Sequence, residues 1–216
     1  MTALALKAMT KARIFGIDRH RIKTDGPGIT TLVGLLGCPL KCKYCINKSV
    51  YTGQIKEYTV EKLFNQLVVD DLYFDYTGGG ICFGGHEPLN QSNFIIEFIE
   101  YCKNQGVGWK FGLETSLSPV KFNKNIVKLV DYMIIDIKTL NPSIYQEYTG
   151  KLIDNTINNL EYVIQNFNMS NILVRVPIIP GFTSKNAIEY TVNKLTRNYG
   201  FKSEQLDIFE YSMLEA

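Results

Sequence analysis

The chain has 216 residues, 45% of them apolar, enough to bury a full hydrophobic core in one large domain. Its 23 basic and 21 acidic residues leave a net charge of +2, too near balance to mark a nucleic-acid or anionic-membrane surface, so neither partner is expected. No apolar run approaches a membrane span, and residues 1–10 carry Lys7 before any signal-like run has built up, which predicts a soluble, cytoplasmic protein with a single domain over residues 1–216.

In chain order, residues 1–29 read as an added strand or arm ahead of an α/β rhythm that fills residues 30–216. Short β-rich runs predict strands at 31–36, 80–83, 110–114, 132–137, 171–176 and 205–210. Between them, Leu63, Phe64 and Leu67 stand at helical spacing within 60–69, and Phe94, Ile95, Phe98 and Ile99 within 94–102. Asn141 before Pro142 marks a helix start with proline in its first position, and Ser184 caps a helix running through Ala187 to Leu195. A helix is therefore expected after each strand. Repeated βα units imply parallel strands with right-handed crossovers, and six of them form either an open doubly wound sheet or a partly closed barrel. Periodicity does not choose between the two.

Of the five cysteines, Cys38, Cys42 and Cys45 fall in one short loop after the strand at 31–36. Their odd total and tight grouping fit metal ligation in a reducing compartment better than a disulfide framework. The end of a parallel strand is where α/β sites form. Three thiolates suit zinc or an iron–sulfur cluster. A structural zinc ion takes four protein ligands, and the candidates for a fourth, Cys82, Cys102, His20 and His86, stand at no finger-like spacing to the trio. Three ligands on a four-iron cluster leave one iron open for a substrate or cofactor, whereas an electron-transfer cluster takes four cysteines. A reading of the three as small buried hydrophobes sits badly with Pro39, Lys41 and Lys43 in the same loop. Cys82, on a buried strand, and Cys102, on an apolar helix stripe, read as core.

The run Gly78-Gly-Gly-Ile-Cys-Phe-Gly-Gly-His-Glu-Pro88 places glycines on both sides of a short strand, where backbone can approach a ligand closely, and sets Glu87 at the strand's end. Taken alone, a tight turn with a solvated glutamate explains it as well. Further on, Glu114 and Thr115, then Asp136 and Lys138, then Arg175 stand near the ends of successive strands, so charged groups converge on one face. A buried salt-bridge network is the plain alternative.

The spacing Cys-x3-Cys-x-aromatic-Cys, with Tyr44 as the aromatic, resembles the signature of the radical S-adenosylmethionine superfamily. That resemblance implies a [4Fe-4S] cluster on Cys38, Cys42 and Cys45, with S-adenosylmethionine bound beside it. The superfamily's second motif resembles Gly-Gly-Glu-Pro and binds the amino group of the cofactor's methionine part; Gly85, His86 and Glu87 are the matching positions, with His86 in place of the usual glycine. A carbonyl at 86 still accepts from the ammonium, and the added ring needs space and could face the site. Beside such a cofactor the cationic pair Lys138 and Arg175 could hold the methionine carboxylate, and Glu114 with Asp136 could bind ribose hydroxyls, the ammonium or a monovalent cation; the sequence does not assign which.

Asp25-Gly-Pro-Gly-Ile-Thr-Thr31 followed by Gly37-Cys-Pro-Leu-Lys-Cys-Lys-Tyr-Cys-Ile-Asn47 resembles glycyl-radical-enzyme activases of the pyruvate formate-lyase activating type. Residues 59–91, 131–148 and 175–181 follow the same pattern. The implied fold is a partial (β/α)6 barrel of six parallel strands with an N-terminal extension. The implied activity is cleavage of S-adenosylmethionine to a 5′-deoxyadenosyl radical that takes hydrogen from a glycine of a partner enzyme, with flavodoxin or ferredoxin as electron donor and Asp25 near the partner's glycine loop. Such chemistry belongs to the cofactor, so no catalytic side chain is named. Thr30 stands where arginine is usual, Ser212 near a position that often carries histidine, the chain is short toward its C-terminal end, and there is no cysteine-rich ferredoxin insert. Thr30, Ser212 and the short end, with His86, keep open a small-molecule or short-peptide substrate, whereas the absent insert fits the pyruvate formate-lyase type and implies an external electron donor. A non-enzymatic metal-binding module is the alternative from another class.

Overall fold

The computed structural model describes residues 10–48 and 55–211; Ser212 lies outside them. Its eight strands, β1 (Ala12–Ile22), β2 (Ile29–Leu35), β3 (Lys56–Tyr58), β4 (Gly80–Gly85), β5 (Lys110–Thr115), β6 (Tyr132–Asp136), β7 (Ile172–Ile178) and β8 (Leu206–Glu210), form one sheet in the order β3-β1-β2-β4-β5-β6-β7-β8. From β2 to β8 every neighbouring pair is parallel, whereas β1 and β3 run antiparallel at the edge. All six expected parallel strands therefore form, the N-terminal extension is a strand, and the sheet stays open between β3 and β8 instead of closing into a barrel.

The outer layer follows from the apolar spacing. Helix α1 (Val60–Leu67) turns Val60, Leu63, Phe64 and Leu67 inward, and the Thr59 hydroxyl accepts from Lys62 N at 3.2 Å to cap its start. A short α2 (Asp71–Thr77) follows, then α3 (Ser92–Asn104), whose buried stripe includes Phe94, Ile95, Phe98, Ile99 and Cys102. Phe98 meets Phe83 and Phe111 edge-on at 5.7 and 6.4 Å, so strands and helix share one aromatic core. Between β6 and β7 lie α4 (Pro142–Thr149) and α5 (Asp154–Asn166), with Asn141 capping α4 as expected. Helix α6 (Lys185–Arg197), capped by Ser184, joins β7 to β8.

One connection departs from the expected rhythm. Between β5 and β6 there is only a 3-10 turn at Lys124–Lys128. The Asn159 amide donates to the carbonyls of Leu117 and Pro119 at 2.8 and 2.9 Å, holding this segment irregular, while Ile126 and Val127 fill the place of a helical stripe. The three-residue β3 was also unforeseen, since Lys56-Glu57-Tyr58 is too short and polar to alternate.

Residues 23–28, joining β1 to β2, pack under the sheet at the opposite end from the cysteines. The Tyr132 hydroxyl donates to the Asp25 carbonyl at 2.6 Å, and a Cβ on Gly26 would come within 2.1 Å of that hydroxyl oxygen at φ +143, so only glycine fits there.

Candidate active site

The C-terminal ends of the parallel strands open into a cavity of about 700 Å³. Cys38, Cys42 and Cys45 all line it, as do Tyr44, Gly85 and His86. The cysteine loop leaves β2 through Gly37, at φ +104, and is held from three sides. On the first, the His86 ring accepts from Gly37 N at 3.0 Å through Nδ1 and lies 3.2 Å from the Asn47 carbonyl through Nε2, which assigns the ring proton to Nε2. Asn47 Nδ2 donates to the Gly85 carbonyl at 2.6 Å, and Glu87 N and Asn90 Nδ2 donate to the Gly37 carbonyl at 3.0 and 3.2 Å. On the second side, Lys41 N and Lys43 N donate to the carbonyls of Thr149 and Tyr148 at the end of α4, at 2.8 and 3.1 Å. On the third, the Tyr211 hydroxyl donates to the Tyr44 carbonyl, while the Tyr44 ring packs against Tyr148 and Phe182 at 6.4 and 5.8 Å.

The donor set fits a cluster with one open iron. Burial pushes the Cys38 thiol up to about 12 and raises that of Cys42, an effect Lys138 offsets in part, so these sulfurs are thiols on their own and would become thiolates on binding a metal. The other candidate ligands are engaged elsewhere: His20 pairs with the buried Asp70 at 2.9 Å, Cys82 and Cys102 are fully buried, and both ring nitrogens of His86 are in the contacts just described. Among the described residues no three His, Cys, Asp or Glu side chains are drawn together around one ion. A four-iron cluster takes one thiolate per iron.

Beside the loop, Gly85 presents bare backbone. It has φ +90, and a Cβ there would lie 2.7 Å from Phe15 Cζ and 2.8 Å from Gly34 Cα. Its neighbours Glu87 and Thr115 were expected at the cofactor, yet neither lines the cavity. The fully buried Glu87 carboxylate accepts from Thr115 Oγ1 and Ser116 Oγ at 2.6 Å each, from Ser116 N at 3.0 Å and from Leu89 N at 3.1 Å. Glu87 thus ties the end of β4 to the end of β5 behind the cavity wall.

The charged groups face the cavity in pairs, so the network and the binding reading describe the same side chains. Lys138 Nζ lies 3.1 Å from Asp136 Oδ2 and close enough to Cys42 to act on its thiol. Arg175 lies deeper, its Nη1 2.9 Å from Glu114 Oε1 and its Nη2 donating to the Thr24 carbonyl at 2.6 Å. Lys138 thus borders the cysteine loop while Arg175 braces the floor. Asp25 is on that floor, nearly buried, its carboxylate taken by Arg21 and by Thr24 Oγ1. Sequence reasoning passed over Phe15, Asp18, Arg21, Asp207 and Tyr211, because they come from β1 and the β8 end, whose residues enter the cavity only through the sheet order. Asn47 and Tyr148 were within reach, since both stand in segments that follow the activase pattern.

Burial and the Asp136 charge, against the pull of Arg175, push Glu114 up to about 7 from an ordinary 4.5. A carboxyl raised in the folded state contributes stability below about pH 4.5, where both states hold the proton. That contribution is lost as pH rises to about 7, because the unfolded chain releases the proton first. Glu114→Gln is expected to flatten this decline, read as melting temperature from pH 4.5 to 7.5.

An open parallel half-barrel with three cysteines in the loop after its first parallel strand defines a class of α/β proteins with a candidate metal-binding loop at the strand ends. The model of the radical SAM superfamily matches residues 32–191, and the chain belongs to that superfamily. Among curated relatives, the pyruvate formate-lyase-activating enzyme of Clostridium pasteurianum is 36% identical, over 66% of this chain and 59% of that enzyme. The pyruvate formate-lyase 1-activating enzyme of Escherichia coli is 27% identical over 88% of this chain and 77% of its own length. The (2S)-3-sulfopropanediol dehydratase activating enzyme of Klebsiella oxytoca is 26% identical over 93% and 82%. Among solved structures, Streptococcus suis SuiB bound to its precursor peptide SuiA superposes with a TM-score of 0.59 at 17% identity, covering 81% of this chain and 37% of that one, which shows the shared fold.

Proposed function

We propose that this chain is a glycyl-radical-enzyme activase: Cys38, Cys42 and Cys45 hold a [4Fe-4S] cluster that, once reduced, cleaves S-adenosylmethionine to a 5′-deoxyadenosyl radical, which takes hydrogen from a glycine of a partner enzyme. The observation that carries this reading is the set of three thiols lining one cavity next to the bare backbone of Gly85. The curated relatives, three activating enzymes spread over most of the chain, support the choice of branch.

The cavity volume lies within the range of about 300–1,000 Å³ usual for cofactor sites. Gly85 and His86 line the wall that would meet the methionine amino group, and Lys138, which lines the same cavity beside Cys42, would take its carboxylate. Glu114 and Asp136 are the carboxylates for ribose hydroxyls or a monovalent cation, and Tyr44 contributes an aromatic face. Asp25 and Arg21 close the floor, so Asp25 would act on a partner through the floor's shape rather than as a free carboxylate. Flavodoxin or ferredoxin in a reducing cytoplasm would supply the electron.

Anaerobic incubation of the reconstituted chain with S-adenosylmethionine, dithionite and the glycyl-radical enzyme of the same organism is expected to give a glycyl radical by electron paramagnetic resonance. Cleavage of S-adenosylmethionine without that signal would sink the activase branch and direct the search to a small molecule or peptide.

A further inference from the structure

We infer that His86 is a positioning residue that brackets the cysteine loop and thereby sets how firmly the chain holds a cluster. The iron part of this inference rests on the cluster proposed above, whereas the loop part does not. Nδ1 accepts from the amide of Gly37, the residue before Cys38, at 3.0 Å, and Nε2 reaches the carbonyl of Asn47, just beyond Cys45, at 3.2 Å. One ring therefore spans both ends of the segment that carries all three thiols. Asn47 completes the bracket by donating to the Gly85 carbonyl at 2.6 Å, so the loop is tied back to the strand that presents His86.

The ring is itself held in place. It packs on Phe15 of β1, with centroids 5.0 Å apart and planes tilted by 43°. Phe15 in turn occupies the space that two glycines leave: a Cβ on Gly34 would lie 2.8 Å from the Phe15 ring, and one on Gly85 would lie 2.7 Å from it. Bare backbone at 34 and 85 admits Phe15, Phe15 supports His86, and His86 fixes both loop ends. A glycine at position 86 would supply neither side-chain hydrogen bond, leaving the Gly37 amide and the Asn47 carbonyl to find other partners. Groups that fix ligands from behind typically change metal affinity by about 10- to 100-fold when removed.

Three chains separate the bracket from general packing. His86→Phe keeps a ring against Phe15 and loses both hydrogen bonds, while His86→Asn retains an acceptor near the Nδ1 position and loses the link to Asn47. In the iron-free chains, amide exchange across residues 37–47 is expected to rise about tenfold for His86→Phe, the cost of roughly one net hydrogen bond or slightly more. The melting temperature should stay within a few degrees of native. After anaerobic reconstitution with iron and sulfide, removal of iron by a chelator is expected to be at least about tenfold faster from His86→Phe, with His86→Asn between it and native.

Native-like exchange and iron retention in His86→Phe would overturn the inference, as would exchange rising throughout the sheet together with a lowered melting temperature. If the native chain took up no cluster while exchange still rose only across the loop, the cluster reading would fail and the bracket would stand.

Discussion

Cys42→Ala is expected to lose the iron–sulfur absorbance altogether on anaerobic reconstitution while melting, iron-free, close to the native chain. The backbone on either side of Cys42 is fixed independently of its sulfur, by the bonds from Lys41 N to Thr149 and from Lys43 N to Tyr148, so the loop keeps its course when the thiol is removed. What changes is the ligand count. Three thiolates already leave one iron open, and a second vacancy exposes the cluster to solvent and to loss of iron. Lys138, next to position 42, would then have no thiolate charge to balance there. Native iron content in Cys42→Ala, measured with acid-labile sulfide, would show that this cysteine is not a ligand.

The second large effect is expected at a residue that touches no cofactor. Glu87→Leu removes the acceptor for four donors, the hydroxyls of Thr115 and Ser116 and the amides of Ser116 and Leu89. The Ser116 hydroxyl still has Ser118 Oγ at 2.7 Å, and each of the other buried groups left without a partner costs about 1–3 kcal/mol. Relief of the carboxyl's own burial penalty, which raises its pKa, offsets part of this loss. A net loss of about 3–4 kcal/mol lowers the melting temperature of a chain of this size by roughly 10 °C. Glu87→Gln keeps one acceptor oxygen and should fall by less. Because Glu87 N also bonds to the Gly37 carbonyl, disorder at this turn should spread to the cysteine loop and reduce iron uptake as well. A Glu87→Leu chain melting within about 2 °C of native would contradict this account of the wall.

The parallel strands were legible because their apolar runs are buried on both faces, as in Ile81, Cys82 and Phe83 of β4. Helix starts at Asn141 and Ser184 follow from local side-chain chemistry, and the structure shows both caps. The open half-barrel was not in the periodicity; it came from the resemblance carried by the cysteine spacing. Local pattern also failed wherever a distant partner decides the outcome. Glu87 and Thr115 turn away from the cavity because they bond to each other across two strand ends. Asp25 lies in a loop that the Tyr132 hydroxyl and Arg175 hold beneath the sheet through the carbonyls of Asp25 and Thr24, so its carboxylate is not free on a surface. His86 is legible as an anomaly in a glycine motif, but its bonds to Gly37 and Asn47 cross 49 and 39 positions of sequence, which no periodicity reports.

Release of 5′-deoxyadenosine tests the central claim most directly. The native chain, reconstituted anaerobically to about four irons and supplied with dithionite and S-adenosylmethionine, is expected to release 5′-deoxyadenosine and methionine, while Cys42→Ala treated in parallel releases neither. A native chain that holds the full complement of iron and still leaves S-adenosylmethionine intact, or a Cys42→Ala chain that cleaves it at the native rate, would contradict the account.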